Sequence, residues 1–253
     1  MALSSPRAPV QPVDRAVTLP YRDYVKSGYS YFTTARDIPD EHIWLVEGAK
    51  SLGARTLVTR VEIQERFGIR DVVLGGELYS PVGTQGWGYL SATVGIDAEV
   101  APQWVLGGEI FQGLGVLHPS LSFLEPSFSY RHMHFRDTDV DILTPGLTAY
   151  FPYNIWLTEK VYYVPDTQSV TLSSQITWRP TPRVQLAFTG VYGNTGERLT
   201  AARDIQRLTT HSFQATLAFP ILAHLSGEIA GYYEDRHGQS IRRGGVFSLI
   251  VPW

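Results

Sequence analysis

From about Lys26 onward, polar and apolar side chains alternate with a period of two nearly without relief. In Thr56-Leu57-Val58-Thr59-Arg60-Val61-Glu62-Ile63-Gln64, Leu57, Val61 and Ile63 share one parity while Arg60, Glu62 and Gln64 share the other. The run from Gly88 to Asp97 separates Leu90, Ala92, Val94 and Ile96 from Ser91, Thr93 and Asp97. Leu172, Ile176 and Trp178 stand out in the same way from their neighbours, as do Phe213, Ala215, Leu217 and Phe219 from Ser212, Gln214 and Thr216. Successive side chains of a strand point to opposite faces, so each run predicts a strand with one apolar and one polar face.

Turn-type residues separate these runs, as in Leu52-Gly53-Ala54, Phe151-Pro152-Tyr153-Asn154 and Arg179-Pro180-Thr181-Pro182-Arg183. Each run is about ten residues long, which suits a tilted crossing of a hydrocarbon core. Strands of soluble proteins average nearer five or six residues, roughly half of that. Fourteen candidates fall at 26–34, 42–51, 55–66, 71–81, 86–97, 103–112, 123–135, 140–151, 155–164, 168–179, 183–193, 209–219, 224–234 and 243–253. Merging two weaker ones leaves twelve, and single-chain bacterial barrels favour even numbers. No run reads as a regular helix, although Leu199 to Leu208 fits a short turn within a loop. Residues 1–22 carry Pro6, Pro9, Pro12 and Pro20 among small and polar residues, so they read as an extended tail ahead of a barrel over 23–253. The expected fold is all-β: a closed antiparallel transmembrane β-barrel of 12–14 strands.

A soluble barrel alternates too, so the two faces must be weighed. The polar parity holds Glu47, Arg60, Glu62, Arg66, Glu77, Glu109, Arg131, Lys160, Glu228 and Glu234, charges that either solvent or a wet lumen accepts. The other parity mixes Leu, Val and Ile with Gly76, Gly108 and Gly227, and sets Trp44, Trp104, Trp178 and Tyr233 near strand ends. Interfacial girdles of a membrane barrel need large aromatics there. In the last run, Phe247, Leu249, Val251 and Trp253 share a face. A terminal strand ending on an aromatic resembles the signal read by the outer-membrane assembly machinery.

Composition changes this picture little. The 253 residues are 43% hydrophobic, as in an ordinary soluble protein, but a barrel with lipid outside and water inside averages to the same value. A formal net charge of −3 offers no basic surface for nucleic acid. Without cysteine there is no disulfide, thiolate metal site or Cys nucleophile. No apolar run reaches the ~18 residues of a transmembrane helix. Met1 to Arg7 lack the basic start and apolar core of a signal peptide, so an outer-membrane protein beginning this way is expected to be the mature chain.

Four stretches carry a family resemblance: Pro102 to Phe111, Ser127 to Phe135, Thr138 to Tyr150, and Thr189 to Glu197. Through them the sequence from Trp87 to its end resembles the YaiO-type outer-membrane β-barrel family. The resemblance rests on diffuse strand patterns and implies fold and bacterial outer-membrane location. Some members look associated with cell-surface polysaccharide export, which is as much as it implies about role. Some also carry a helical-repeat domain ahead of the barrel, and none is expected in the short tail here.

Outer-membrane phospholipases use a Ser–His pair, because the hydroxyl needs an adjacent base. His132 and His134 share one parity while Ser127, Ser129 and Arg131 take the other, which argues against a local dyad. The i, i+2 histidines also fit a metal, but no carboxylate near them in sequence shares their face, so no metal or cofactor is expected. Glu234-Asp235-Arg236-His237, with Asp204 in the preceding loop, has the residue types of a rim protease but reads as a charged loop tip. On the inward parity, the four cations Arg60, Arg66, Arg131 and Lys160 roughly offset the six glutamates, and Tyr79, Tyr89, Phe111, Tyr162 and Tyr232 lie among them. Such an interior serves either as a salt-bridged filling with aromatic bulk or as a sugar-recognising wall.

The leading expectation is a non-enzymatic outer-membrane barrel, a channel or component for envelope polysaccharide export. Its expected partners are outer-membrane lipid, the assembly machinery and polysaccharide. The alternatives are an outer-membrane enzyme acting on lipid or peptide, and a structural or adhesive barrel whose loops bind a surface partner.

Overall fold

The computed structural model describes residues 23–34, 39–197, 206–236 and 240–253. The Pro-rich stretch 1–22, Asp204 and His237 lie outside them, as do residues 199–205 of the turn expected from Leu199 to Leu208. Gln206 to Leu208 are strand and not turn, paired with residues 195–197. Fourteen strands follow in order: β1 Tyr24–Thr34, β2 Glu41–Leu52, β3 Arg55–Arg66, β4 Ile69–Val82, β5 Gly86–Ile96, β6 Trp104–Gln112, β7 Leu124–His134, β8 Asp139–Phe151, β9 Ile155–Val164, β10 Ser169–Thr181, β11 Val184–Glu197, β12 Gln206–Leu222, β13 Leu225–Arg236 and β14 Ser240–Pro252. The helical content of the described residues is three single turns, at Leu114–Val116, Pro119–Leu121 and Pro152–Asn154. None is long and apolar enough to cross a membrane.

Each strand pairs antiparallel with its sequence neighbours, and β1 pairs with β14 from Tyr24–Pro252 to Thr34–Arg242, closing the barrel. Closure removes every sheet edge, so the backbone groups are satisfied within the wall, as a lipid solvent demands. We call the rim holding Tyr24 and Pro252 proximal and the opposite one distal. Tight turns join several hairpins, with Gly53 and Gly68 at φ of 66° and 75°, conformations that cost a residue without Cβ little. Pro180, Pro220 and Pro145 fall where a ladder yields. The β10–β11 register shifts between Trp178 and Thr181, and the β12–β13 register between Pro220 and Leu222. Pro145, which has no N–H to donate, sits where the β8–β9 ladder skips from Leu143–Tyr163 to Gly146–Lys160.

Burial is inside out. Glu41, Thr177, Ser169, Ser226 and Ser248 are among the fully buried side chains, whereas Leu90 is 72% exposed and Phe213 64%. Water-soluble packing would reverse this, and a barrel in lipid requires it. On the outward face Tyr29, Tyr31, His42 and Trp44 cluster near the distal rim, and Trp178 and Trp253 lie near the proximal one. The all-β closed barrel expected from the alternation is therefore the observed fold, at the upper strand count. Most strand ends fall within two residues of the expected ones; the β11–β12 hairpin reaches farther, its pairing continuing to Glu197–Gln206.

Candidate functional site: the lumen

Inward side chains converge and outward ones diverge, so contacts between non-neighbouring strands mark the interior. Lys160 Nζ on β9 lies 2.8 Å from Glu109 Oε1 on β6. Lys26 on β1 reaches Glu228 on β13 at 2.9 Å, and Arg242 on β14 reaches Glu41 on β2 at 2.6 Å. At the distal end these pairs join into an arc: Arg66 to Glu41 at 3.3 Å, Glu41 to Arg242, Arg242 to Glu234 at 3.7 Å, and Glu234 to Arg236 at 2.9 Å. The Arg242 guanidinium also lies 3.9 Å over the Phe32 ring.

Tyrosines hold most of the other inward carboxylates. Hydroxyls of Tyr24, Tyr79, Tyr89 and Tyr150 donate to Glu47 (2.7 Å), Glu77 (2.5 Å), Glu109 (3.2 Å) and Glu125 (3.0 Å). Tyr232 donates to Glu234 at 2.6 Å, Arg60 lies 3.6 Å from Glu77, and Glu62 accepts from Gln64. Arg131 departs from the expectation of pairing: it forms no ion pair among the described residues. Its ladder partners are Gly107 and Ile142, and Glu109, the acid two positions along β6, is taken by Lys160. The aromatics do not form a bare sugar platform either. Phe111 stacks flat on Trp87 at 3.8 Å, Trp87 donates to Glu125 at 3.4 Å, and both rings are buried.

The wall from β8 to β12 is of another kind. Apart from Lys160 and Arg179, its inward side chains are chiefly hydroxyls and amides. The Thr148 and Thr158 hydroxyls meet at 3.0 Å, Gln175 donates to Thr189 at 2.9 Å, and Gln214 to Thr216 at 3.1 Å. In the distal half this wall opens into a recess of about 390 Å³ lined by Tyr162, Ser169, Thr171, Thr189, Ser212 and Gln214 among others, with Glu234 at its edge. That volume lies in the usual range for small-molecule sites.

Several functional side chains went unread in the sequence. Lys26, Glu41 and Arg242 follow the inward parity of their strands and were legible by it. Asp71 was not: it accepts the backbone N–H groups of Glu99, Val100 and Ala101 at 2.6–2.9 Å. These bonds draw the β5–β6 loop onto the distal rim, where Ala98, Val100 and Ala101 are buried. Gly95 permits this approach, since a Cβ there would meet Pro102 O at 2.5 Å.

The histidine pair lies on the outward face. His132 Nδ1 is 2.8 Å from Asp141 and His134 Nδ1 is 2.6 Å from Asp139, with both rings packed on Trp104. Carboxylates thus do share the histidines' face, contrary to the reading from local sequence, because they come from the neighbouring strand β8. No group of three or more His, Asp or Glu suited to a metal occurs among the described residues. Ser127 and Ser129 take the opposite parity, away from both imidazoles. Glu234 and Arg236 are not a loop tip: they lie buried within β13, paired with each other. Phe247, Leu249 and Val251 are on the outward side of β14, and Ser248 and Ile250 are buried on the inward side.

The barrel is similar to three solved structures. One is the CymD monoaromatic hydrocarbon channel, at 8% identity and TM-score 0.56 over 92% of this chain and 89% of that one. Omp33 of Acinetobacter baumannii matches at 10% identity and TM-score 0.54, over 92% and 98% of the two chains. A bacterial polysaccharide outer membrane secretin matches at 8% identity and TM-score 0.54, over 93% and 100%. At such identities these likenesses show the fold alone. No curated protein matches the chain in sequence. The model of the YaiO membrane beta barrel domain matches residues 23–198, which includes all four resembling stretches, begins well before Trp87 and stops short of the C-terminal strands that the resemblance took in. The chain is therefore a bacterial outer-membrane β-barrel and belongs to the YaiO membrane β-barrel family.

Proposed function

We propose that this barrel is a non-enzymatic channel, or channel component, for envelope polysaccharide, with the glycan passing along the hydroxyl-rich wall of the lumen. The observation that carries this reading is the asymmetry of the interior. One side holds carboxylates that are paired with Lys or Arg or hydrogen-bonded by Tyr, and the other offers chiefly uncharged donors and acceptors around a recess of about 390 Å³. Hydroxyls and amides exchange hydrogen bonds with sugar hydroxyls much as water does, so a glycan can move along them without a deep trap. The likeness to a bacterial polysaccharide outer membrane secretin supports the reading.

The rival is an enzyme acting on lipid or peptide. His132 and His134 face outward, away from Ser127 and Ser129, so these residues form no Ser–His pair in the lumen. The test sets purified protein in planar bilayers, measuring conductance with added neutral oligosaccharide beside hydrolysis of phospholipid and peptide. Transient block by the sugar with no hydrolysis is expected. Hydrolysis that disappears in His132→Ala or His134→Ala would replace the channel with an enzyme.

A further inference from the structure

We propose that two copies of this chain associate in the membrane through the β9–β10 face, brought together by Glu159 and Ser174. Glu159 lies in the middle of β9 on the parity of Leu157 and Val161, the lipid-facing one. Every other outward Asp, Glu, Lys or Arg of the described strands lies within three residues of a strand end, nearer interfacial height, whereas Glu159 is four from one end of β9 and five from the other. A carboxyl group facing hydrocarbon is costly unless it finds a partner, and an intramembrane ionisable residue marks a function by default. Here Ser174 of β10, directly across the ladder, donates its hydroxyl to Glu159 Oε2 at 2.6 Å. The other carboxyl oxygen takes no hydrogen bond among the described residues.

Lipid tails carry no donor, so the missing partner must be protein. This face supplies one to a copy of itself. Glu159 and Ser174 are lateral neighbours near one height, and a two-fold axis along the membrane normal between them reverses their lateral order. Each Glu159 then faces the Ser174 of the other copy. That hydroxyl has given its one hydrogen to its own Glu159, so its oxygen serves as the acceptor for the O–H of the facing carboxyl group when that group carries its proton, giving an isologous, closed contact. The relief allows close approach. Gly190, across from Ser174 on β11, leaves open space where a Cβ would meet only the Phe213 ring at 3.7 Å. Small residues beside a polar group are what association within lipid requires, since apolar area alone drives nothing there.

The absence of cysteine makes the test direct. Val161→Cys places a thiol one pair along from Glu159 and Ser174, and Val46→Cys places one on the far wall as a control. In proteoliposomes, a short bifunctional thiol reagent should join Val161→Cys into a species of twice the chain mass and leave Val46→Cys largely monomeric. Adding Glu159→Leu, an apolar change on a lipid face, should lower the joined fraction about tenfold. Two contacts of about 0.7 kcal/mol each amount to that factor. Ser174→Ala should lower it too, while Glu159→Gln, which keeps a donor and an acceptor on the same stem, should preserve it. Equal joining with Leu and Glu at position 159, joining no better than the Val46→Cys control, or an adduct only of another mass would overturn the proposal. All variants are compared after folding is confirmed by the band shift between heated and unheated gels.

Discussion

Glu109 carries an ion pair that links β6 to β9 through the lumen, and exchanging it for Gln tests that network. Its Oε1 holds the Lys160 ammonium at 2.8 Å and its Oε2 takes the Tyr89 hydroxyl at 3.2 Å. The side chain of Glu109 is 4% exposed and that of Lys160 20%. Breaking a well-buried pair costs ~3–5 kcal/mol, because the remaining charge stays desolvated; an exposed pair contributes only ~0–1 kcal/mol. Glu109→Gln leaves Lys160 with some access to water, so about 2 kcal/mol is expected, between those limits. Lys160→Met instead strands a carboxylate with almost none and should cost more, about 3–4 kcal/mol. The double variant strands neither and should lose at least about 1 kcal/mol less than the two single losses together. Arg131→Ala, which breaks no ion pair, should cost less than about 0.5 kcal/mol. Urea unfolding in micelles, followed by tryptophan fluorescence, reads all four. Single changes that cost no more than Arg131→Ala and add without coupling would show the pair to be fully screened by lumenal water and the network reasoning wrong.

Three further outcomes are expected. Leu90→Arg, on the lipid-facing side of β5, should block stable insertion at a cost of ~2–4 kcal/mol, whereas Ser91→Arg on the lumenal side should be mild; equal tolerance in a heat-modifiability assay would contradict the orientation. Phe247, Leu249, Val251 and Trp253 are proposed as the surface read during assembly, so Trp253→Asp should accumulate in the periplasm and be degraded, and normal outer-membrane levels on fractionation would count against that role. Asp23 accepts the Ser51 backbone N–H at 2.6 Å, with Lys50 at 2.9 Å, and these contacts hold its carboxyl below its ordinary value of 3.8. The stability it adds is therefore present above that value and lost as pH falls through the lower folded one, so the difference between the natural chain and Asp23→Asn should vanish in acid; a difference that grew there would refute the tether.

The strands were legible because period two is local, and because a one-residue error in register would turn every Leu of a segment into the lumen. Inward parity likewise located the residues of the pairs at Glu77 and Glu109 without showing who pairs with whom. Lys160 meets Glu109 across two intervening strands, and Glu41 bridges arginines of β3 and β14, contacts set by barrel curvature and not by sequence spacing. The same limit hid the carboxylates beside His132 and His134 and the loop gathered by Asp71. Glu159 was visible in principle, as a charge on the parity of Leu157 and Val161, but a single exception among so many regular strands carries no message until its lipid-facing height is known.

The most direct test of a glycan route through the lumen is flux into proteoliposomes of uncharged glucose oligomers beside galacturonate oligomers of equal length. The natural chain should admit the neutral oligomer faster than the acidic one. Thr189→Trp, which fills the recess between β10 and β12 without removing a charge, should slow the neutral oligomer several-fold while the band shift of the folded barrel is kept. Neutral flux no greater than in protein-free vesicles, or unchanged by a folded Thr189→Trp, would contradict it.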